Sequence, residues 1–290
     1  MVVFITSIRH PHNSHSYGRV LSLLRASLKS VCAQTDQDFR VIVVANQEDH
    51  IGFAHPNVEW LVVDFPPPSE HSGPRTGINA VRRDKGCKYA AGLSRAREYA
   101  PDFVMFFDAD DLVHREITAF CNARKDESGW YVDHGFVWRH GTHIYGRMEE
   151  FYKWCGTCNI VKFDLFNWPR RLSVASSREE IEEILGEDFV HRILGAHPFT
   201  VDYFAARGAP LAPLPFAGAV YVRGTDENHS GLFYGSVLRS WPKIINRTFC
   251  DEFGLDVDLG LQRNVRARLF EWPLELYRIL RYRADIKPPV

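Results

Sequence analysis

Apolar residues in the first third of the chain come in short unbroken runs, separated by segments with helical spacing. Val2 to Ile8 (VVFITSI), Phe39 to Asn46 (FRVIVVAN), Val58 to Phe65 (VEWLVVDF) and Phe103 to Phe107 (FVMFF) are the runs. They are rich in β-branched and aromatic residues and do not alternate with polar ones, which predicts strands buried on both faces. Between the first two, Tyr17, Val20, Leu24, Leu28 and Val31 recur at helical spacing. Pro66 to Pro68 stop the third strand. From Asp84 to Tyr99, the small residues Cys87, Ala91 and Ser94 predict a helix that packs closely on a sheet. The order β-α-β-β-α-β predicts an α/β fold with a mostly parallel central sheet and helices on both faces. In such sheets ligands bind beyond the carboxyl ends of the strands.

The second half is less regular. Gly129 to Arg139 reads as one aromatic strand and Asn159 to Phe166 as another. Ser177 and Glu180 form a capping-box pattern ahead of an amphipathic helix, which includes the pair Glu187-Asp188. His197-Pro198 opens a short helix, with Pro198 at its first position and Gly208 past its end. Ala219 to Gly224 is a strand feeding the polar loop TDENHSG. The pattern divides into residues 1–120, a second half at 121–240 and a helical tail at 241–290, the halves sharing one domain. The tail mixes arginines with Phe270, Trp272, Leu274, Tyr277 and Leu280.

Composition narrows the class. The chain has 290 residues, 45% hydrophobic and 24% charged, enough to bury a sizeable core. A net charge of -1 gives no field for non-specific nucleic-acid binding. No apolar run approaches the roughly 20 residues of a membrane span. The N-terminus lacks the features of a signal peptide, which predicts a cytoplasmic protein. Six cysteines in a chain of this length do not make a disulfide framework, and Cys155 and Cys158 read as two packed thiols. His10, His12 and His15 occupy the loop after the first strand, which is expected to line a ligand site. In the aromatic strand, His134, Trp138 and Arg139 could offer a stacking surface to a sugar. The basic aromatic tail suits peripheral contact with an anionic membrane, or docking on its own domain.

The sharpest chemical signal follows Phe107. Asp108, Asp110 and Asp111 end an apolar strand, and two carboxylates in an Asp-x-Asp suit a hard divalent cation such as Mn²⁺ or Mg²⁺. Preceded by this alternation, FFDADD resembles the DxD region of GT-A-fold glycosyltransferases, most similar to the family-2-like enzymes. The likeness spans roughly residues 1–230. It implies a first half that binds a nucleotide-diphospho-sugar, with UDP-sugars favoured, and a second half that binds a saccharide or lipid-linked acceptor. It also implies Mn²⁺ or Mg²⁺ and donor contacts at Asp108, Ala109 and Asp110, with Asp111 orienting the loop. Thr6, Ser7 and Arg9 fall where such enzymes cradle base and ribose, and Asn46 where they recognise the base. Asp84, Lys85 and Lys88 fall near the diphosphate, at the start of a helix whose field would add positive charge. His229 falls where a further metal ligand is expected. Counting back from Gly208 puts His197 at the base position, with Asp202 and Asp188 as reserves; Asp202 lies roughly 140° away around the helix.

The reading is therefore a metal-dependent, inverting glycosyltransferase of glycan, polysaccharide or lipopolysaccharide synthesis. Two alternatives stay open. A nucleotidyltransferase usually carries a Gly-rich basic loop after the first strand, which TSIRHPHNSHS lacks. The other is a non-catalytic nucleotide- or sugar-binding protein of the same fold.

Overall fold

Residues 1–74, 76–225, 227, 241–257, 259–260 and 265–282 are described by the computed structural model of the chain. The apolar runs become adjacent parallel strands: β1 (Val2–Ser7), β2 (Phe39–Ala45), β3 (Val58–Val62) and β4 (Phe103–Phe106). Val2 of β1 pairs with Phe39 on one side and Phe103 on the other. The three strands therefore start level, and their carboxyl ends open on the same edge.

Alternate residues of β1 feed two cores. Val2 and Phe4 pack with Leu24, Leu28 and Val31 of α1 (Tyr17–Val31). Val3 and Ile5 pack with Cys87, Ala90, Ala91 and Leu93 of α2 (Ile78–Ala96). All four β1 residues are fully buried, each stabilising the fold by roughly 1.5–3 kcal/mol. Both faces of the sheet are thus covered, as the unbroken apolar runs require.

The remaining strands extend this sheet and build a second. β6 (Gly129–Tyr131), β9 (Asn159–Lys162) and β10 (Ala212–Pro213) complete seven strands in the order β10-β6-β9-β4-β1-β2-β3. Only β9 runs against its neighbours, so the central sheet is mostly parallel and the fold is mixed α/β. A smaller sheet takes the order β12-β8-β7-β11-β5. Its strands are β5 (Leu112–Val113), β7 (His134–Arg139), β8 (Ile144–Glu149), β11 (Ala219–Arg223) and β12 (Lys243–Ile244). Short helices α3 (Ile117–Asn122), α4 (Arg178–Leu185), α5 (Thr200–Ala205) and α6 (Arg247–Phe253) fill the connections.

Several expectations need correcting. Gly129 to Arg139 is two strands in different sheets, because the chain leaves β9 at Tyr131 and joins β8 at His134. Asn159 to Phe166 is a strand only to Lys162, after which the chain turns in a 3-10 helix. α2 begins at Ile78 rather than Asp84. The capping box at Ser177 and Glu180 forms as expected, but α4 ends at Leu185. Glu187 and Asp188 lie beyond it, where Asp188 precedes a π-helical turn, Phe189–Leu194. α5 begins at Thr200, two positions after Pro198. The segment after 240 is not all helical tail, since β12 and α6 join the second sheet and its core. A π-helical turn (Ala267–Glu271) and α7 (Trp272–Tyr282) follow. No helix among the described residues is long and apolar enough to cross a membrane.

Candidate active site

Just past β4, the chain turns upward at the edge of the sheet. Phe107 N–H still bonds Ile5 O (3.0 Å), and Asp108 N–H donates to Thr157 Oγ1 (2.9 Å). Asp111 N–H then closes a turn on Asp108 O (3.1 Å). This turn projects Asp108 and Asp110 into a cleft of about 430 Å³, while Asp111 points away into the protein.

Asp111 is fully buried and ties three segments together. Its Oδ1 accepts from Val222 N–H (2.9 Å) on β11, and its Oδ2 accepts from Thr157 Oγ1 (2.6 Å) and Cys155 Sγ (2.9 Å). Burial, and then the neighbouring charges of Asp110 and Asp108, push its carboxyl well above the usual range. It orients the loop that carries the other two acids.

Those two are shifted in opposite directions. For Asp108, burial works against ionisation, but Lys85 Nζ, bonded to Oδ1, outweighs it and keeps the carboxyl below its ordinary value. The reciprocal attraction raises the Lys85 ammonium above its usual range, despite the opposing effect of burial. Asp110 is pushed up to about 7, first by burial and then by the charge of Asp108. Its Oδ2 lies 3.5 Å from Thr225 Oγ1. The two carboxylates crowd one another, and the charge of Asp108 is part of what disfavours ionisation of Asp110.

The opposite wall comes from the segment between the π-helical turn and α5. Gly195, Ala196, His197 and Pro198 line the cleft. The His197 ring bonds the backbone of Lys153, and its Nε2 has no partner among the described residues. Burial, then the Lys85 charge, lowers His197 to about 4, so the imidazole is neutral at pH 7. The cause is burial and not a helix field, because Phe199, rather than His197, is the N-cap of α5.

Of the other candidates, Ser7, Arg9, Lys85 and Ala109 line the cleft together with Ile8. Thr6 does not; its side chain is wholly buried within the sheet. Asn46 is spent on holding the chain after β3, donating from Nδ2 to Phe65 O (2.9 Å) and Val63 O (3.3 Å). Lys88 is 1% exposed and donates to Ile8 O and Asp84 Oδ2, both at 2.9 Å. Asp84 also pairs with Arg178 of α4, so this trio braces the end of β1 rather than facing a diphosphate. Asp84, Lys85 and Lys88 sit inside α2, and no helix terminus adds its field there. Asp84 reaches only a smaller cavity of about 120 Å³ beside the main cleft. Asp202 is exposed on α5, and Asp188 is exposed and paired with Arg192 (3.2 Å); neither lines the cleft. His229 lies outside the described residues.

The three loop histidines do not line the cleft either. His12 Nε2 meets Glu70 O (2.9 Å), and Asn13 rather than a histidine reaches the smaller cavity. Trp138 is buried, with Nε1 donating to Thr142 O (2.9 Å), so β7 offers no stacking platform there.

Sequence reasoning missed Arg82, Trp154, Gly156, Tyr221 and Glu227, all lining the cleft. Cys155 and Cys158 are indeed buried free thiols. The residues between them, Gly156 and Thr157, turn out to cup Asp108 and Asp111, so the CxxC did mark the site. Glu227 is buried in the loop after β11; it accepts from Arg9 Nη1 (3.1 Å), Ser16 N–H (2.6 Å) and His15 N–H (3.2 Å).

No protein-family model and no curated protein matches the chain. Among solved structures it is similar to S. aureus TarS, with 14% identity and a TM-score of 0.36. That likeness covers 76% of this chain but only 36% of TarS, so the chain spans about a third of its length. A second similar structure, from Desulfovibrio desulfuricans G20, is titled a "putative nucleotide-diphospho-sugar transferase". It has 10% identity and a TM-score of 0.34, covering 79% of this chain and 89% of that one.

Proposed function

We propose that the chain is a glycosyltransferase of the GT-A type, moving a sugar from a nucleotide-diphosphate donor to a hydroxyl acceptor. The observation that carries this reading is the pair Asp108 and Asp110, set past a central parallel strand in a cleft shared with Lys85 and His197. That edge of a parallel sheet is where nucleotide ligands bind. The two carboxylates fit Mn²⁺ or Mg²⁺: they are hard oxygen donors, and the Asp110 carboxyl, raised to about 7, would be relieved by a cation. When bound, the ion would supply positive charge against the diphosphate oxygens.

The chain's own residues account for the rest of the chemistry. Lys85 keeps Asp108 ionised and adds positive charge where the departing diphosphate builds negative charge. His197, neutral and with Nε2 unpartnered, accepts the proton of the attacking hydroxyl. Direct attack then inverts the anomeric configuration. Trp154 and Tyr221 give the cleft flat apolar faces suited to a sugar ring.

The smaller cavity suits the base of the donor. Asn13 is 1% exposed, and its Nδ2 donates to Ser69 O and His71 O, both at 3.0 Å. Those two bonds fix the amide orientation and leave Oδ1 as an acceptor without a partner among the described residues. A ring N–H of uracil is the donor it would take, which favours UDP-sugars. A saccharide or lipid-linked acceptor is what the resemblance of the FFDADD region implies for the second half of the chain.

A thermal-shift screen of nucleoside diphosphates with and without Mn²⁺ tests the reading. Stabilisation by UDP that depends on Mn²⁺ and disappears in Asp110→Ala is the expected result. Binding without turnover of any donor sugar would make the chain a binding protein instead. His197→Ala with near-normal turnover would remove His197 from the mechanism.

A further inference from the structure

The C-terminal helical segment is docked the wrong way round for a globular protein. Its two carboxylates face inward, together with Ala267 and Trp272, which pack on the apolar core. Ala267 is fully buried, and Glu271 accepts from His143 N–H (2.7 Å). Glu275, 1% exposed, faces Arg139 (3.9 Å) and Arg278 (3.0 Å). Residues 267, 271, 275 and 278 follow helical spacing, so this is one face. The apolar side faces outward: Leu269, Phe270, Leu274, Tyr277 and Leu280 are between 50% and 68% exposed. Trp241, 67% exposed, stacks on Trp272 beside them.

An amphipathic helix ordinarily turns its apolar stripe to the core. Here two carboxylates are used as anchors and the apolar stripe is left over. A contiguous exposed apolar face of this kind marks an interaction surface.

Charge decides between occupants. Both acids of the docked segment are turned inward, at 13% and 2% side-chain exposure. The exposed charges on the segment itself are basic, Arg266 and Arg268, with Lys243 beside it; Arg266 also meets Glu271 (3.7 Å), and the neighbouring Arg247 pairs with the exposed Asp251 (4.0 Å). A second copy seated on this face would bring arginines against arginines. An anionic lipid surface answers both features, taking the leucines and aromatic rings among its acyl chains and pairing the arginines with headgroups. Exposed tryptophan and tyrosine at the margin fit the headgroup level.

We infer that residues 265–282, with Trp241, form a peripheral docking face for an anionic membrane, held to the domain by Glu271 and Glu275. The inference is independent of the proposed reaction, since none of these residues lines the cleft.

Sedimentation of the full chain with phosphatidylglycerol-containing vesicles, and with phosphatidylcholine vesicles, tests it. The expected result is at least about tenfold tighter binding to the anionic vesicles, weakening as salt is raised. The exposed double variant Phe270→Ser/Leu274→Ser should lose this binding while its circular dichroism and melting temperature stay unchanged. Failure of the wild-type chain to sediment with anionic vesicles at low salt would overturn the inference, as would undiminished binding of the double variant. Sedimentation equilibrium supplies the third arm: a stable dimer that the same variant makes monomeric would assign the face to a second copy, and so also overturn it.

Discussion

A methyl group at Gly156 would sit 2.5 Å from Asp108 Oδ2, closer than any carbon normally approaches. The carboxylate would have to move, and displacement of a reacting group by about 1 Å can cost 10²-fold in rate. Gly156→Ala should therefore lower turnover by roughly that factor while changing melting temperature little, as a kcat measurement beside a thermal melt would show. A second residue is exposed by pH rather than by mutation. His114 packs against the rings of Phe216 and Phe253, and burial lowers it to about 4. The unfolded chain takes up this proton near pH 6.5, whereas the folded chain resists it until about 4. Stability from His114 is thus complete above pH 6.5 and lost as pH falls towards 4, on the order of 2 kcal/mol after screening. Urea unfolding at pH 7.5 and 5 should show His114→Phe losing less stability than wild type. The place of Asp108 and Asp110 at the edge of the central sheet was readable in sequence because the carboxylates directly follow an unbroken apolar strand. Thr6 and Lys88 were not, because the side a strand or helix residue faces depends on register that composition does not carry.

At the scale of elements, α2 shows why its start was misread. Residues 78–83 carry Arg82 and Arg83 with little apolar patterning, and what holds this turn in a helix is contact with a distant segment. Gly86 and Gly195 let α2 and the π-helical turn approach until a methyl on either would lie 2.1 Å from a carbonyl oxygen of the other. Arg83 pairs with Glu182 and with Glu179 (3.1 Å) of the neighbouring α4. Gly86→Ala should cost about 1–3 kcal/mol or more through overpacking against Val190 O, a change that denaturant melts would resolve. The same packing sets the height of Ala196 and His197 above Asp108, so turnover should fall further than stability alone accounts for. The split of Gly129 to Arg139 into two strands has a similar cause. Its run of aromatic residues is locally consistent with one strand, and only pairing with β9 and β8 breaks it at Val132.

Across the whole molecule, the two ends of the cleft are joined by one carboxylate. Glu227 comes from the loop after β11, yet its oxygens meet Arg9 past β1 and the backbone at the start of α1. Arg9 Nη2 also donates to Glu227 O (2.8 Å), and Arg19 of α1 donates to Thr225 O (2.9 Å). The large sheet and the small one are thereby clamped beside the cleft. The succession of strands and helices in the first third was legible from the apolar runs, but this clamp was not, because a glutamate within TDENHSG looks like any solvated loop residue. At 5% side-chain exposure it is a buried charge held by three donors, and removing it leaves Arg9 without its carboxylate partner. Breaking such a pair typically costs about 3–5 kcal/mol. Glu227→Ala should therefore lower the melting temperature and also raise the apparent KM for the donor, since the loop would no longer be fixed beside Asp110. Glu227→Gln keeps one acceptor oxygen where His15 N–H and Ser16 N–H now use two, and it loses the charge, so it should lie between Ala and wild type. A Glu227→Ala protein as stable as wild type, with an unchanged KM, would show that the two sheets are held over the cleft by other contacts.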